Sequence, residues 1–400
     1  MRVVSFDIAR VRAAYPALAE GFVHLDGAAG TQVAAPVIEA AAGAMRRAVS
    51  NRTSAFEAGR RSGEIVAAAR EAVADLVGGA AGGVVFGPSA TALTYVVART
   101  LARTWAPGDE VVVSRLDHDA NVRPWVQAAG AAGTTVRWAG VDPATGDLPV
   151  DQYADLVGPR TKVVAVTAAS NAIGTVPRVR EIAEVAHAVG ALTYVDGVHA
   201  TAHMPTDVAA LGADFYVTSA YKWSGPHQAA VVARPETWDG LSPEKLKPSP
   251  DTVPERFEFG TLSFEMLAAV TAAVDHLATL SLQTAGSRRD RLVAGLTAAA
   301  AYENGLLDRL VKGLAAIGSV TVCPSPEHRC PTVSFRVDGQ SPADTAGFLG
   351  DQGICVYSGD YYAYEYFTAA GLRDTGGAVR ASIYHYNTAG EVDRLLTALG

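Results

Sequence analysis

A lysine stands where an apolar run ends. In "DFYVTSAYKWSGPHQ", residues 214 to 228, strand-like residues lead through Ser219 and Tyr221 into Lys222 and then a turn. Another run, "LTYVD" at 192 to 196, closes on the carboxylate of Asp196, and His199 follows three residues later. Three further runs end on polar groups. "VVF" gives way to "GPSAT", with Ser89, Ala90 and Thr91; "EVVVS" gives way to "RLDHDAN", with His118; and "KVVAVTA" gives way to "ASNAIGT", with Asn171. A lysine held out of water or beside other cations loses proton affinity, which frees its amine to attack a carbonyl. Small and hydroxylated residues at the entrance to a helical pattern suit a phosphate, because free backbone N–H groups and the helix dipole point there.

These runs are also the elements that must position the chemistry. From about residue 84 to 235, short β-branched stretches alternate with Ala-rich helical patterns, the signature of a parallel sheet covered by helices. In such sheets ligands collect beyond the carboxyl ends of the strands, where the lysine, carboxylate, imidazole and hydroxyls all fall. Together they match the needs of pyridoxal 5'-phosphate: a lysine to link to its aldehyde, and a carboxylate to keep its pyridine nitrogen protonated so that the ring withdraws electrons. After residue 263 the grammar changes to helical patterns over 263–316, strands near 319, 332, 353 and 378, and a last helix from 389. Thr388 and Glu391 form a capping box that fixes where that helix begins. The chain therefore reads as α/β in two domains. Residues 1–20 are expected to form an N-terminal segment packing on the small domain, 21–265 a large domain with a mainly parallel sheet, and 266–400 a small α+β domain.

Composition excludes several function classes. A net charge of −8 disfavours nucleic acid, whose binding draws on basic surface, so a small molecule is the expected partner. No window reaches ~18 uninterrupted apolar residues, so no membrane span is expected, and the charged N-terminus does not read as an export signal. Cys323, Cys330 and Cys355 are an odd number without metal-ligand spacing, which fits a reducing cytoplasm. His199 and His203 sit four apart, but no adjacent acidic or cysteine ligand completes a metal site, and none is expected.

"YVDGVHATAH" followed by "ADFYVTSAYKWSGPHQ" resembles the lysine signature of class V aminotransferases, the branch that holds cysteine desulfurases. "VHLDGAAGTQV", "VVFGPSATALT", "VSRLDHDANVRPW", "TAASNAIGT", "FEFGT" and "VRASIYHYNT" look like the family's successive motifs in order. The resemblance implies fold type I and a homodimer with sites at the subunit interface. It implies that Lys222 holds the cofactor and moves protons, Asp196 pairs with the ring nitrogen, and His118 stacks on the ring. His199 stands where the family has a glutamine that bonds the ring hydroxyl. Ser89, Ala90, Thr91 and Ser219 would form the phosphate cup, with Thr261 reaching in from the second subunit. Tyr221 replaces the histidine that precedes the family's lysine. Asn171 would touch cofactor and substrate, and Arg380 resembles the clamp for a substrate carboxylate, a task suited to a planar fork.

The informative departure concerns sulfur. Desulfurases of this branch carry a persulfide on a loop cysteine, and the matching segment here is "GICVYSGDYYAYEYF". Register from Gly353 and Gly359 puts Tyr362 at the cysteine's position, while Cys355 falls seven residues earlier in a strand-like run. The implied activity is a C–S β-lyase on cysteine or an S-substituted cysteine. The resemblance also reaches enzymes that tailor sulfur-containing natural products of the lincosamide type. Decarboxylation coupled to oxidative deamination, transamination and epimerisation remain alternatives, with persulfide-forming desulfuration less expected.

Overall fold

Odd and even positions along the apolar runs part company. Val111, Val113, Val163, Ala165, Tyr194, Phe215 and Val217 face one buried cluster, and Val112, Val164, Val166, Val195 and Tyr216 face another. Strand side chains alternate between faces, so a sheet apolar at both parities is covered on both sides.

The computed structural model describes residues 6 to 400. A two-residue strand β1 (Val23–His24) precedes the central sheet. That sheet comprises β2 (Val84–Gly87), β3 (Glu110–Ser114), β4 (Thr135–Ala139), β5 (Thr161–Thr167), β6 (Leu192–Asp196), β7 (Phe215–Ser219) and β8 (Ala229–Ala233), in the order β2-β8-β7-β6-β5-β3-β4. Only β8 runs antiparallel to its neighbours β2 and β7. The remaining pairs are parallel, as a chain alternating strand and helix requires. Each expected strand of this sheet is present, displaced by at most a residue at its ends.

The stretch 263–316, uniformly helical in pattern, is two helices, Phe264–Leu277 and Arg288–Ala316. The first runs across the expected boundary between residues 265 and 266 and packs against helices Ala35–Arg46 and Glu57–Val77. The second starts at a capping box formed by Ser287 and Asp290. Beyond it, β9 (Val320–Val322), β10 (Thr332–Val337), β11 (Ile354–Cys355), β12 (Tyr357–Gly359) and β13 (Ala378–Ser382) follow, and the last helix, Ala389–Leu399, opens on the Thr388–Glu391 box. A second sheet runs β12-β13-β10-β9, while β11 pairs with β1. A third cluster, including Leu310, Phe335, Val379 and Leu395, is the core beneath it, and Val23 and Leu25 belong to that core.

The N-terminal expectation over residues 1–20 falls partly outside the described residues. Within them, Arg12 Nη1 donates to the Tyr386 carbonyl at 2.6 Å and to Glu391 Oε1 at 2.9 Å, and Arg10 Nη2 donates to the Thr279 carbonyl at 2.6 Å.

Candidate active site

Lys222 ends a single 3₁₀ turn, Ala220–Lys222, that follows β7 directly. The turn is tight: a Cβ on Gly225 would lie 2.8 Å from Ala220 Cβ and 2.9 Å from its carbonyl, so only glycine fits. The side chain is 8 % exposed and its Nζ donates to the Ala28 carbonyl. Burial, then the Arg380 charge, bring the amine down to about 7, with Asp196 and Asp26 opposing. A substantial fraction of Lys222 is thus neutral near neutral pH.

Asp196 ends β6, and the Val198 N–H donates to its Oδ1 at 2.9 Å. Burial pushes its carboxyl up to about 6, against the pull of that N–H and of Lys222. It remains an anion above that value. Ser89 caps the helix Ala90–Ala102, its hydroxyl accepting from the Ala92 N–H at 3.1 Å, so Ala90 and Thr91 occupy the positive end of the helix. Ser219, 2 % exposed, closes β7 beside them. His118 Nδ1 accepts the Ala120 N–H at 3.0 Å. Burial and the charges of Lys222 and Arg380 hold that imidazole down at about 3, so it is neutral with its proton on Nε2. Just before it, Asp117 is fully buried, bonded by the Ser114 hydroxyl and by Asn121 Nδ2, the latter at 2.6 Å. Burial raises Asp117 to about 8.

These groups line one inner pocket: Ser89, Ala90, Thr91, His118, Asn171, Asp196, His199, Ser219, Tyr221 and Lys222. Through His118, Asn171, Tyr221 and Lys222 it opens into an outer cleft of about 750 Å³ that reaches Arg380 and the tyrosine-rich segment. Arg380 lies on β13, 3 % exposed; its Nη1 donates to the Asn171 carbonyl at 2.9 Å, and its guanidinium lies 4.5 Å from the Tyr361 ring centroid. Burial lowers it to about 10, still cationic at neutral pH.

The tyrosine segment lies over the site. Asn171 Nδ2 donates to the Tyr361 carbonyl at 2.9 Å, and the Asp119 N–H donates to the Tyr362 carbonyl at 2.7 Å. Tyr362, 71 % exposed, stacks on His118 with ring centroids 5.4 Å apart. Glu365 pins the segment from behind, accepting from Arg115 at 3.2 Å and also from Arg123. Tyr221 stacks on His227 at 4.9 Å. Thr261 is exposed and lines a separate cleft with Asn51, Arg52 and Leu246, away from its own chain's pocket.

Sequence reasoning missed three contributors. Glu365 acts through Arg115 and Arg123, far off in the chain, whereas Asp117 and its partners Ser114 and Asn121 fall in one short motif around His118. The acidic partner absent around His203 is Glu303, 100 residues away, whose Oε2 lies 2.9 Å from His203 Nδ1.

The donor set fits pyridoxal phosphate. A helix N-terminus with hydroxyls, an anion and a depressed-pKa amine share one pocket, and the buried Asn171 Oδ1 and Arg380 Nε have no hydrogen-bond partner among the described residues. Buried polar atoms left unpaired point to a missing ligand group.

The aminotransferase class-V family model matches residues 23–395. The chain is 37 % identical over 398 residues to an uncharacterized protein, MT3887, of Mycobacterium tuberculosis, covering 99 % of each. It is 32 % identical to a probable cysteine desulfurase of Mycolicibacterium paratuberculosis, spanning 98 % of this chain and 58 % of that longer one. In structure it resembles the cysteine desulfurase CsdA of Escherichia coli, with a TM-score of 0.87, 27 % identity and 98 % of both chains covered. Fold and site thus define a fold-type-I pyridoxal phosphate enzyme. The chain belongs to the class-V aminotransferase family and is cysteine desulfurase-like within it.

Proposed function

We propose that this protein is a homodimeric C–S β-lyase acting on an S-substituted cysteine. The observation that carries the reading is a buried lysine and a buried arginine that both line a tyrosine-walled cleft of about 750 Å³. That space suits a ligand much larger than cysteine. Cysteine desulfurases among its relatives support a sulfur-bearing amino acid as substrate.

Bound pyridoxal phosphate supplies an electron sink for negative charge at the substrate's α-carbon. Arg380, cationic and held by Asn171, takes the substrate carboxylate as a bidentate fork. Lys222, neutral in part near pH 7, accepts the α-proton on Nζ. Asp196, an anion above about 6, would hold positive charge on the ring nitrogen. His118 would present a neutral flat face to the ring, and Ser89, Ala90, Thr91 and Ser219 would hold the phosphate. As the α C–H electrons move inward, the Cβ–S bond breaks and its pair leaves with sulfur as a thiolate. The released 2-aminoacrylate takes up water to give pyruvate and ammonia.

No cysteine lines the pocket or the cleft among the described residues. Cys355 lies in β11 beside β1, and burial raises its thiol. Sulfur leaving on the product needs no acceptor cysteine, which fits Tyr362 at the mouth. The exposed Thr261 suits a role across a dimer, at the partner's phosphate cup.

The test is a product assay on a panel of S-substituted cysteines, scoring pyruvate, thiol, carbon dioxide and peroxide. Stoichiometric pyruvate and thiol are expected. Carbon dioxide with an intact thioether would overturn the lyase reading in favour of decarboxylation.

A further inference from the structure

A neutral imidazole offers one donor and one acceptor, and the partner of one nitrogen dictates what the other becomes. His199 is 4 % exposed and lines the inner pocket. Its Nε2 lies 3.0 Å from the hydroxyl of Thr332. Its Nδ1 has no hydrogen-bond partner among the described residues, and the residue lines the pocket, so Nδ1 is the nitrogen left for a ligand. Burial first, then the charges of His203, Lys222 and Arg380, hold His199 well below the ordinary histidine range. The ring is therefore neutral, and its tautomer is open to be set.

Thr332 opens β10, fully buried, and makes its side-chain hydrogen bond to His199. Behind His199 the ring of His203 packs edge-on at 4.8 Å and is itself held by Glu303, which fixes the orientation of the pair. The ring hydroxyl of pyridoxal phosphate loses its proton readily, and an oxygen anion requires a donor opposite it. A lone pair on Nδ1 would repel it.

We propose that Thr332 is a positioning residue: its hydroxyl donates to His199 Nε2, placing the imidazole proton on Nδ1, so that His199 presents a donor to the ring hydroxyl of bound pyridoxal phosphate. The inference rests on His199 being the partner of that hydroxyl. Thr332 and Arg380 lie on paired strands of the small sheet, with Thr332 opposite Ser382 and Ser334 opposite Arg380. One sheet thus carries both the substrate clamp and the group that sets the tautomer.

The readout is the pH midpoint at which the holoenzyme's visible absorption band titrates. Around His199 stand Asp196 at the end of the preceding strand, His118 and Lys222 across the pocket, Arg380 from the small sheet, and His203 with Glu303 behind. Thr332→Val changes none of these groups and keeps the residue's shape. Loss of the donor removes stabilisation of the oxygen anion, so the midpoint is expected to rise by about one pH unit. Thr332→Ser is expected to leave it in place. In a His199→Gln background, where no tautomer exists, Thr332→Val is expected to have no effect. An unmoved midpoint in Thr332→Val, or the same rise in the His199→Gln background, would overturn the proposal. His199→Ala separates the two levels. If it raises the midpoint while Thr332→Val does not, the tautomer proposal fails and the assignment of His199 stands; if it has no effect, that assignment fails as well.

Discussion

Replacing Lys222 by methionine removes an ammonium group and keeps an unbranched stem in the buried slot. In the cofactor-free protein the amine sits at about 7, against an ordinary 10.5. Between those limits the unfolded chain binds a proton that the folded chain does not, so this residue's cost to folding vanishes above both values and grows as pH falls. It amounts to about 4 kcal/mol at pH 7.5, about 2 kcal/mol at pH 9 and about 1 kcal/mol at pH 10. Methionine lacks this cost but loses the bond from Nζ to the Ala28 carbonyl, worth about 1 kcal/mol. Asp196 titrates near 6 and was attracted by Lys222, so the comparison belongs above pH 7.5, where that carboxylate is charged. Urea unfolding of both cofactor-free proteins should show the variant more stable by about 3 kcal/mol at pH 7.5, with the advantage gone near pH 10. The same variant should be colourless and fail to retain cofactor mass after borohydride. A stability difference that is flat across this range, or that favours the native lysine at pH 7.5, would refute the claim that burial tunes this amine.

The remaining predictions concern sulfur and the tyrosine segment. With Cys323, Cys330 and Cys355 all replaced by alanine, the folded protein should still release thiol from an S-substituted cysteine; complete loss in a folded variant would restore a persulfide route. Glu365→Gln keeps the shape of the clamp but removes the charge shared by Arg115 and Arg123. KM should rise about 5- to 10-fold with kcat nearly unchanged, equivalent to one weakened charge-assisted bond. Unchanged KM would mean that the segment needs no such anchor.

The sequence exposed what strand ends carry. Lys222, Asp196, His118, Asn171 and the residues from Ser89 to Thr91 were all visible because an apolar run stops and a polar group follows, and a parallel sheet gathers such positions at one edge. The partners were not visible. Glu303 meets His203 from the interior of a 29-residue helix whose pattern read as one unbroken helical stretch, and Thr332 meets His199 from another sheet. Periodicity reports which face a residue occupies; it does not report what that face meets.

The tyrosine segment shows the same limit most sharply. Tyr361 and Tyr362 adopt left-handed backbone, with φ of 48° and 60°. Tyrosine has no preference for that region, and each such residue costs about 1–2 kcal/mol. No local signal could have placed the bend there. It holds because both carbonyls exposed by it are taken up by the large domain, through Asn171 Nδ2 and the Asp119 N–H, while Glu365 fixes the next turn. The shape of the cleft is therefore imposed by groups that follow two separate strands, β3 and β5. Asn171, whose own carbonyl accepts from Arg380, links that shape to the buried guanidinium. The tyrosine segment and Arg380 are thus tied through one residue, the first by its side-chain amide and the second by its main-chain carbonyl.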